Sequence, residues 1–197
     1  MSIRTLQEFA SVRGRLTFPQ PAVSRITDVP SETLTAWTRR GVIHSATDKS
    51  RRVKFSGSGV LRIVTIRELA WIVGPARAGQ IADGLTSLED RFFEAIGQQD
   101  EGCVREAVRK LGKSFLVLQR PEGSYETARP IEGQDGAMGS LNWYLRNDPP
   151  ETGSFGKTHA VVPLGRAWVL AAMEAGAFNL GVEPDRAQLF VHGRANA

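Results

Sequence analysis

The stretch PAVSRITDVPSETLTAWTRRGVI, residues 21–43, decides the reading of this chain. Pro21 suits the first turn of a helix, where its missing N–H has no intrahelical acceptor to serve, and Ala22, Val23 and Ile26 supply one apolar face. Asp28-Val29-Pro30 then breaks the helix, because the residue before a proline is pushed toward extended backbone. Ser31 stands as an N-cap for a second helix, Glu32 to Arg40, in which Leu34 and Trp37 fall three residues apart on the inner side and Gly41 provides the stop. Two short helices across a tight turn, the second carrying hydroxyls outward and cations at its end, predict a helix-turn-helix whose second helix enters the major groove of DNA.

Downstream, Val42-Ile43 and a polar run from His44 to Ser50 lead into Arg51-Arg52-Val53-Lys54-Phe55. Apolar Val53 and Phe55 alternate there with basic Arg52 and Lys54, which predicts a hairpin with one cationic face. Ser58 starts a third helix, with Val60, Leu61, Val64, Ile66 and Leu69 burying one side until Gly74-Pro75. A short helix from Pro75 to Asp83 closes a winged arrangement. Upstream, Thr5 to Val12 reads as a short helix with Leu6, Phe9 and Ala10 on one face, a leader to the unit that follows, ended by Gly14 and Pro19.

Charge divides the chain in the same place. Residues 1–80 hold 13 Lys and Arg against 5 Asp and Glu, a balance of +8, while residues 81–197 hold 12 against 16, a balance of −4. A basic module joined to a mildly acidic one points the first toward a polyanion. The second carries some other task.

These residues resemble a known pattern. Ile26-Thr27-Asp28-Val29-Pro30, Thr33-Leu34 with Trp37, and Arg40-Gly41-Val42-Ile43 look like the N-terminal signature of MerR-type winged-helix regulators. Phe55-Ser56, Val60-Leu61-Arg62 and Ile66-Arg67-Glu68-Leu69 resemble that family's passage from wing into third helix, so the likeness spans about residues 16–83. It implies a dimeric DNA-binding protein, usually a transcriptional regulator, with the second helix in the major groove and the wing on phosphates. Double-stranded DNA, a second copy of the chain and RNA polymerase are the partners this raises. Related modules occur in phage excisionases and packaging proteins, which makes an architectural or phage-type DNA binder, with an assembly module at its C-terminal end, the alternative.

Thr35 and Ala36 stand where members often carry arginine and tyrosine, and Arg52-Val53 where a Tyr-Arg pair is common. The candidate DNA contacts are Ser31, Thr33, Thr35, Ala36, Arg39 and Arg40 on the second helix, with Arg51, Arg52 and Lys54 on the wing. Hydroxyls can bond base edges or phosphates, an alanine methyl can meet a thymine methyl, and arginine can read guanine or clamp phosphate.

The expected fold class is α+β: a winged helix-turn-helix domain over residues 1–84, then a dimerisation or effector domain over 85–197 built from smaller helices and an antiparallel sheet. Gly84-Leu85-Thr86 is the expected linker, and Ser87 to Asp90 resembles a capping box opening a helix with Leu88, Phe92 and Ile96 at spacings of four. Val104, Ala107, Val108 and Leu111 line the next helix. Strands follow at Ser114 to Gln119, Tyr125 to Ile131 and His159 to Leu164, then a helix from Gly165 to about Ala175 whose small residues permit close packing on its own sheet or on a second subunit. Gly97, Gly102 and Gly112 interrupt residues 87–112, so the long pairing helix of better-known members has no counterpart in the pattern. Trp143, Tyr144, Phe155 and Trp168 read as core aromatics or as the lining of a ligand pocket.

Catalysis finds no foothold in the motifs. His44, His159 and His192 have no Cys, Asp, Glu or His at a metal-ligand spacing, and Gly112-Lys113-Ser114 and Gly156-Lys157-Thr158 lack the glycine of a phosphate-cradling loop. No enzyme activity, metal or cofactor is expected. Cys103, the single cysteine, reads as an idle thiol or a sensor at a helix start, and its lack of an internal partner points to a reducing, cytoplasmic setting. Residues 160–182 include Pro163, Arg166 and Glu174, against a membrane span.

Overall fold

The computed structural model describes residues 2–47, 53–98, 100–112, 114–120, 127–131 and 158–182. Leu6, Phe9 and Ala10 line one stripe of α1 (Ser2–Val12) and are buried, so this helix is part of the core. The leader reading is thereby corrected: α1 packs on helices from the far end of the chain, a neighbourhood no local pattern announces. Fully burying two large apolar side chains such as Leu6 and Phe9 stabilises by roughly 1.5 to 3 kcal/mol each.

Strand β1 (Thr17–Pro19) leads into α2 (Gln20–Thr27), and α3 (Ser31–Arg39) follows the turn. Strands β2 (Ala46–Thr47) and β3 (Val53–Ser56) form the wing, and β3 lies in the middle of a three-stranded antiparallel sheet of order β1-β3-β2. Phe18 faces Phe55 across the β1–β3 pair, both buried. Pro19 has no N–H for a ladder, and its strand lies at the sheet edge, where that donor is not needed.

Helix α4 (Gly57–Val73) starts one residue before the expected Ser58, at a glycine the fold requires. The Gly57 N–H donates to the carbonyls of Arg13 and Leu16, and a Cβ there would lie 2.5 Å from the Arg13 oxygen. Ser56, not Ser58, is therefore the N-cap, its Oγ accepting from the Gly59 N–H at 3.0 Å. The apolar spacing predicts one buried side for α4. In the fold Ile63 and Thr65 are buried as well, because α2 and α5 (Pro75–Gly84) pack on part of its surface and the last helix on another.

Leu85 alone separates α5 from α6 (Thr86–Gln98), and it is buried, so the expected linker is a tight corner. The capping-box expectation at Ser87 to Asp90 is also corrected. Helix α6 starts at Thr86, whose Oγ1 donates to the Asp83 carbonyl at 3.0 Å, while Glu89 is buried and Asp90 accepts from Arg13 Nη2 at 2.5 Å. Helix α7 (Glu101–Gly112) buries Val104, Val108 and Leu111. Strands β4 (Phe115–Arg120), β5 (Thr127–Ile131) and β6 (Thr158–Val162) make a second antiparallel sheet of order β5-β4-β6.

The final described helix, α8 (Leu164–Leu180), packs mainly on α1 and α4, with α7 and α2 adding to its walls and only a small contact to β4. The expected choice between its own sheet and a second subunit gives way to a third partner, the helices of the first half. Its small residues do allow close approach: a Cβ on Gly176 would lie 2.0 Å from the Thr5 carbonyl oxygen, and one on Gly165 1.7 Å from that of Leu111. Trp168 is buried, and its indole N–H donates to Thr65 Oγ1 on α4 at 2.8 Å. One connected core includes Leu6, Ile66, Phe93, Val108 and Trp168, so it crosses the corner at residues 84 and 85. Trp143, Tyr144 and Phe155 lie outside the described residues, as does everything after Val182.

Candidate nucleic-acid interface

The short helix α3 is held by two kinds of interaction. Leu34 and Trp37 bury its inner stripe, and Val29 and Ile43 anchor the chain on either side. Pro30 is the residue before the helix, without a side-chain cap bond, so Ser31 occupies the first helical position and not the cap predicted for it. The helix then spans Ser31–Arg39, one residue earlier at each end than its sequence pattern suggests. Asp28 closes α2 with φ 54°, in the left-handed region, and Gly41 follows α3 with φ 68°. These two reversals fix the direction of α3.

Polar bonds complete the hold. Gln20, at the start of α2, donates through Nε2 to the Ser31 carbonyl at 2.8 Å and to Thr35 Oγ1 at 3.0 Å. The Thr35 hydroxyl itself donates to the Ser31 carbonyl at 2.9 Å, and Thr38 Oγ1 to that of Leu34 at 2.9 Å. From α4, Arg62 donates to the Val42 carbonyl at 3.0 Å and pairs with Asp83, while Arg67 donates to the Thr27 carbonyl at 2.6 Å and pairs with Glu68. Burial holds the Arg62 guanidinium below its ordinary pKa. Two arginines of α4 thus secure the ends of both shorter helices.

Opposite Leu34 and Trp37, the spacing i, i+3, i+4, i+7 places Glu32, Thr35, Ala36 and Arg39 on one outward face. Glu32, Arg39 and Arg40 are exposed, as is Ser31; Thr35 and Ala36 are half-buried. Thr33 is half-buried and falls off that face on the helical spacing. Lys54 is half-buried on β3, opposite Pro19 on one neighbour and Ala46 on the other. Arg51 and Arg52 lie outside the described residues.

Sequence reasoning passed over two members of this surface. Glu32 shows itself once the outward face is counted from Leu34 and Trp37, since its position is one turn before Ala36. Gln20 carries no such signal, because its neighbours in space are 11 and 15 residues away in sequence.

The other candidate sites fare differently. Cys103 is exposed, with its thiol pKa raised by a hydrogen bond to Asp100 and by that carboxylate's charge, which disfavours the thiolate a sensor needs. Among the described residues, no group of three or more His, Cys, Asp or Glu side chains could hold a metal ion, and no helix is long and apolar enough to cross a membrane.

Residues 21–74 match the family described as MerR HTH family regulatory protein. No curated protein matches the chain. The matched stretch begins within α2, takes in α3 and the wing, and ends as α4 does, leaving α1 and β1 outside it. This part of the chain, from α2 to the end of α4, is similar to the helix-turn-helix of the MerR-type family of DNA-binding transcription regulators.

Proposed function

We propose that the chain is a sequence-specific transcriptional regulator that binds double-stranded DNA as a homodimer. In this reading α3 lies in the major groove with Thr35, Ala36 and Arg39 toward base edges, and Ser31, Thr33 and Arg40 reach the flanking backbone. Arg51, Arg52 and Lys54 of the wing meet phosphates. Residues 1–84 do the reading; residues 85–197 brace that unit and supply the dimer contact or the response to an effector. One nine-residue helix reads too few bases for useful discrimination, and a symmetric pair doubles the contacts.

The supporting observation is the division of α3: its apolar stripe is spent on the core while Glu32 and Arg39 stay exposed on the opposite face. A salt-titrated mobility-shift assay on random and selected duplexes tests it. Binding is expected to weaken linearly in log–log form with salt, and replacing Arg52 and Lys54 together to flatten that slope by about 0.9 for each phosphate left without its cation. Replacing Arg39 is expected to cost roughly 1 to 3 kcal/mol at one base position. Failure to retard any duplex at low ionic strength removes the reading. Sedimentation at a single-chain mass in the DNA-bound state removes the dimer.

A further inference from the structure

We propose that Gln20 is a base-reading residue, and that Thr35 acts by orienting it. The inference rests on the DNA-binding reading and adds a prediction about which bases are preferred. It starts from the amide of Gln20, whose Nε2 is turned toward α3 and donates to both the Ser31 carbonyl and Thr35 Oγ1.

An amide's oxygen and nitrogen are usually assigned from their surroundings, and here those surroundings leave one choice. The Ser31 carbonyl can only accept, so a flipped amide would set oxygen against oxygen at 2.8 Å. Thr35 gives its own hydroxyl proton to that same carbonyl, so toward Gln20 it also accepts. The two acceptors together fix the amide plane. What remains is Gln20 Oε1, an acceptor with no partner among the described residues.

The amide that carries this acceptor adjoins Ser31 and Thr35, at the N-terminal end of α3, the end that a helix-turn-helix brings to base edges. In the major groove, adenine N6 and cytosine N4 are amino donors, while guanine and thymine present acceptors there. A lone acceptor therefore selects adenine or cytosine over guanine or thymine on one strand. A freely rotating glutamine would instead pair bidentately with adenine, offering both an N–H and the oxygen. Thr35 thus sets the preference by occupying the hydrogen that adenine N7 would otherwise receive.

The test is selection of duplexes from a random pool by the full chain, the Gln20→Met variant and the Thr35→Val variant, with the salt slope measured for each. The wild type is expected to favour adenine or cytosine roughly tenfold over guanine or thymine at one position in each half-site. Gln20→Met is expected to lose that preference alone and keep its salt slope. Thr35→Val, which frees one amide hydrogen, is expected to narrow the same position to adenine. Unchanged base preferences in Gln20→Met overturn the proposal. So does an equal loss on all sequences, which would make Gln20 a helix prop only, or a Thr35→Val profile identical to wild type. If the wild type itself binds no duplex, the DNA reading fails first and takes this inference with it; binding without the adenine-or-cytosine position overturns the inference alone.

Discussion

Helix α8 and helix α3 sit at opposite extremes of the same fold. Along α8, Leu164, Trp168, Val169, Ala172 and Ala175 are buried, and glycines bring its backbone against neighbours on two sides. Along α3 only Leu34 and Trp37 are buried, and the rest of the helix is steered by short polar bonds. The difference separates rigidity from recognition. A reading surface has to expose its side chains, so its precision is imposed from behind, through α4, whose Arg62 and Arg67 hold the short helices and whose Thr65 is tied to Trp168.

The contrast breaks first at the glycines. In Gly176→Ala and Gly165→Ala the added carbon would meet backbone oxygens of Thr5 and Leu111, which cannot rotate away as a side-chain tip can. Each is expected to cost about 3 kcal/mol or more, lowering the thermal midpoint by on the order of 10 °C in a chain of this size. Arg39→Ala on α3 is expected to stay within about 0.5 kcal/mol. Calorimetry on the three variants checks both halves of the claim, and a Gly176→Ala protein melting with the wild type would dissolve the distinction.

A buried charge in the frame provides the second lever. Burial pushes the Glu89 carboxyl up to about 8, with the Arg13 charge pulling it partly back and the Asp90 charge raising it further. The Arg13 guanidinium does not rescue it: its Nε stands 3.9 Å from Glu89 Oε1, too far for a hydrogen bond, while its Nη2 is given to Asp90 at 2.5 Å. Both Arg13 Nε and Glu89 Oε1 lack a hydrogen-bond partner among the described residues. The folded state therefore keeps a proton that the unfolded state releases near 4.5. The stability this proton brings is complete below about 4.5 and is lost as pH rises through about 8, an effect on the order of 5 kcal/mol. Glu89→Gln is expected to flatten that decline in denaturant titrations at pH 5 and pH 8.5. An equal decline in both proteins would place the charge elsewhere.

The helix-turn-helix was legible because its signals are local: Asp28-Val29-Pro30, Leu34 with Trp37, and Gly41 lie within one short run. The identity of α1 as core was not, since Thr5 and Phe9 meet Gly176 only after most of the chain has been laid down. The same holds for the third strand of the wing sheet, where Thr17-Phe18-Pro19 is too short and too proline-bound to carry a strand pattern of its own. Asp90 misled for a related reason: a carboxylate three residues after a hydroxyl looks like a cap from sequence, and only the nearness of Arg13, 77 residues away in the chain, gives it another part. Thr35 was visible as a candidate, but its orientation of Gln20 depends on how α2 crosses α3.

The smallest expected effect sharpens the contrast at the turn itself. Asp28 and Gly41 bracket α3, both with positive φ, yet only one is a glycine. Left-handed backbone costs most side chains roughly 1 kcal/mol or more, and aspartate less, because its short polar side chain tolerates that region. Asp28→Gly removes this cost but gives the unfolded chain more freedom, which works against it by up to about 1 kcal/mol. The net change in stability is therefore expected to fall within about 0.5 kcal/mol. Asp28→Val, branched at Cβ, gains no such freedom and meets the full clash, so it is expected to lose roughly 1 to 2 kcal/mol. Denaturant midpoints for the two variants, read beside Gly41→Val, decide whether both reversals around α3 are strained alike. An Asp28→Val protein as stable as the wild type would mean that the aspartate there is no more at ease than valine, and that its side chain does nothing to ease the turn.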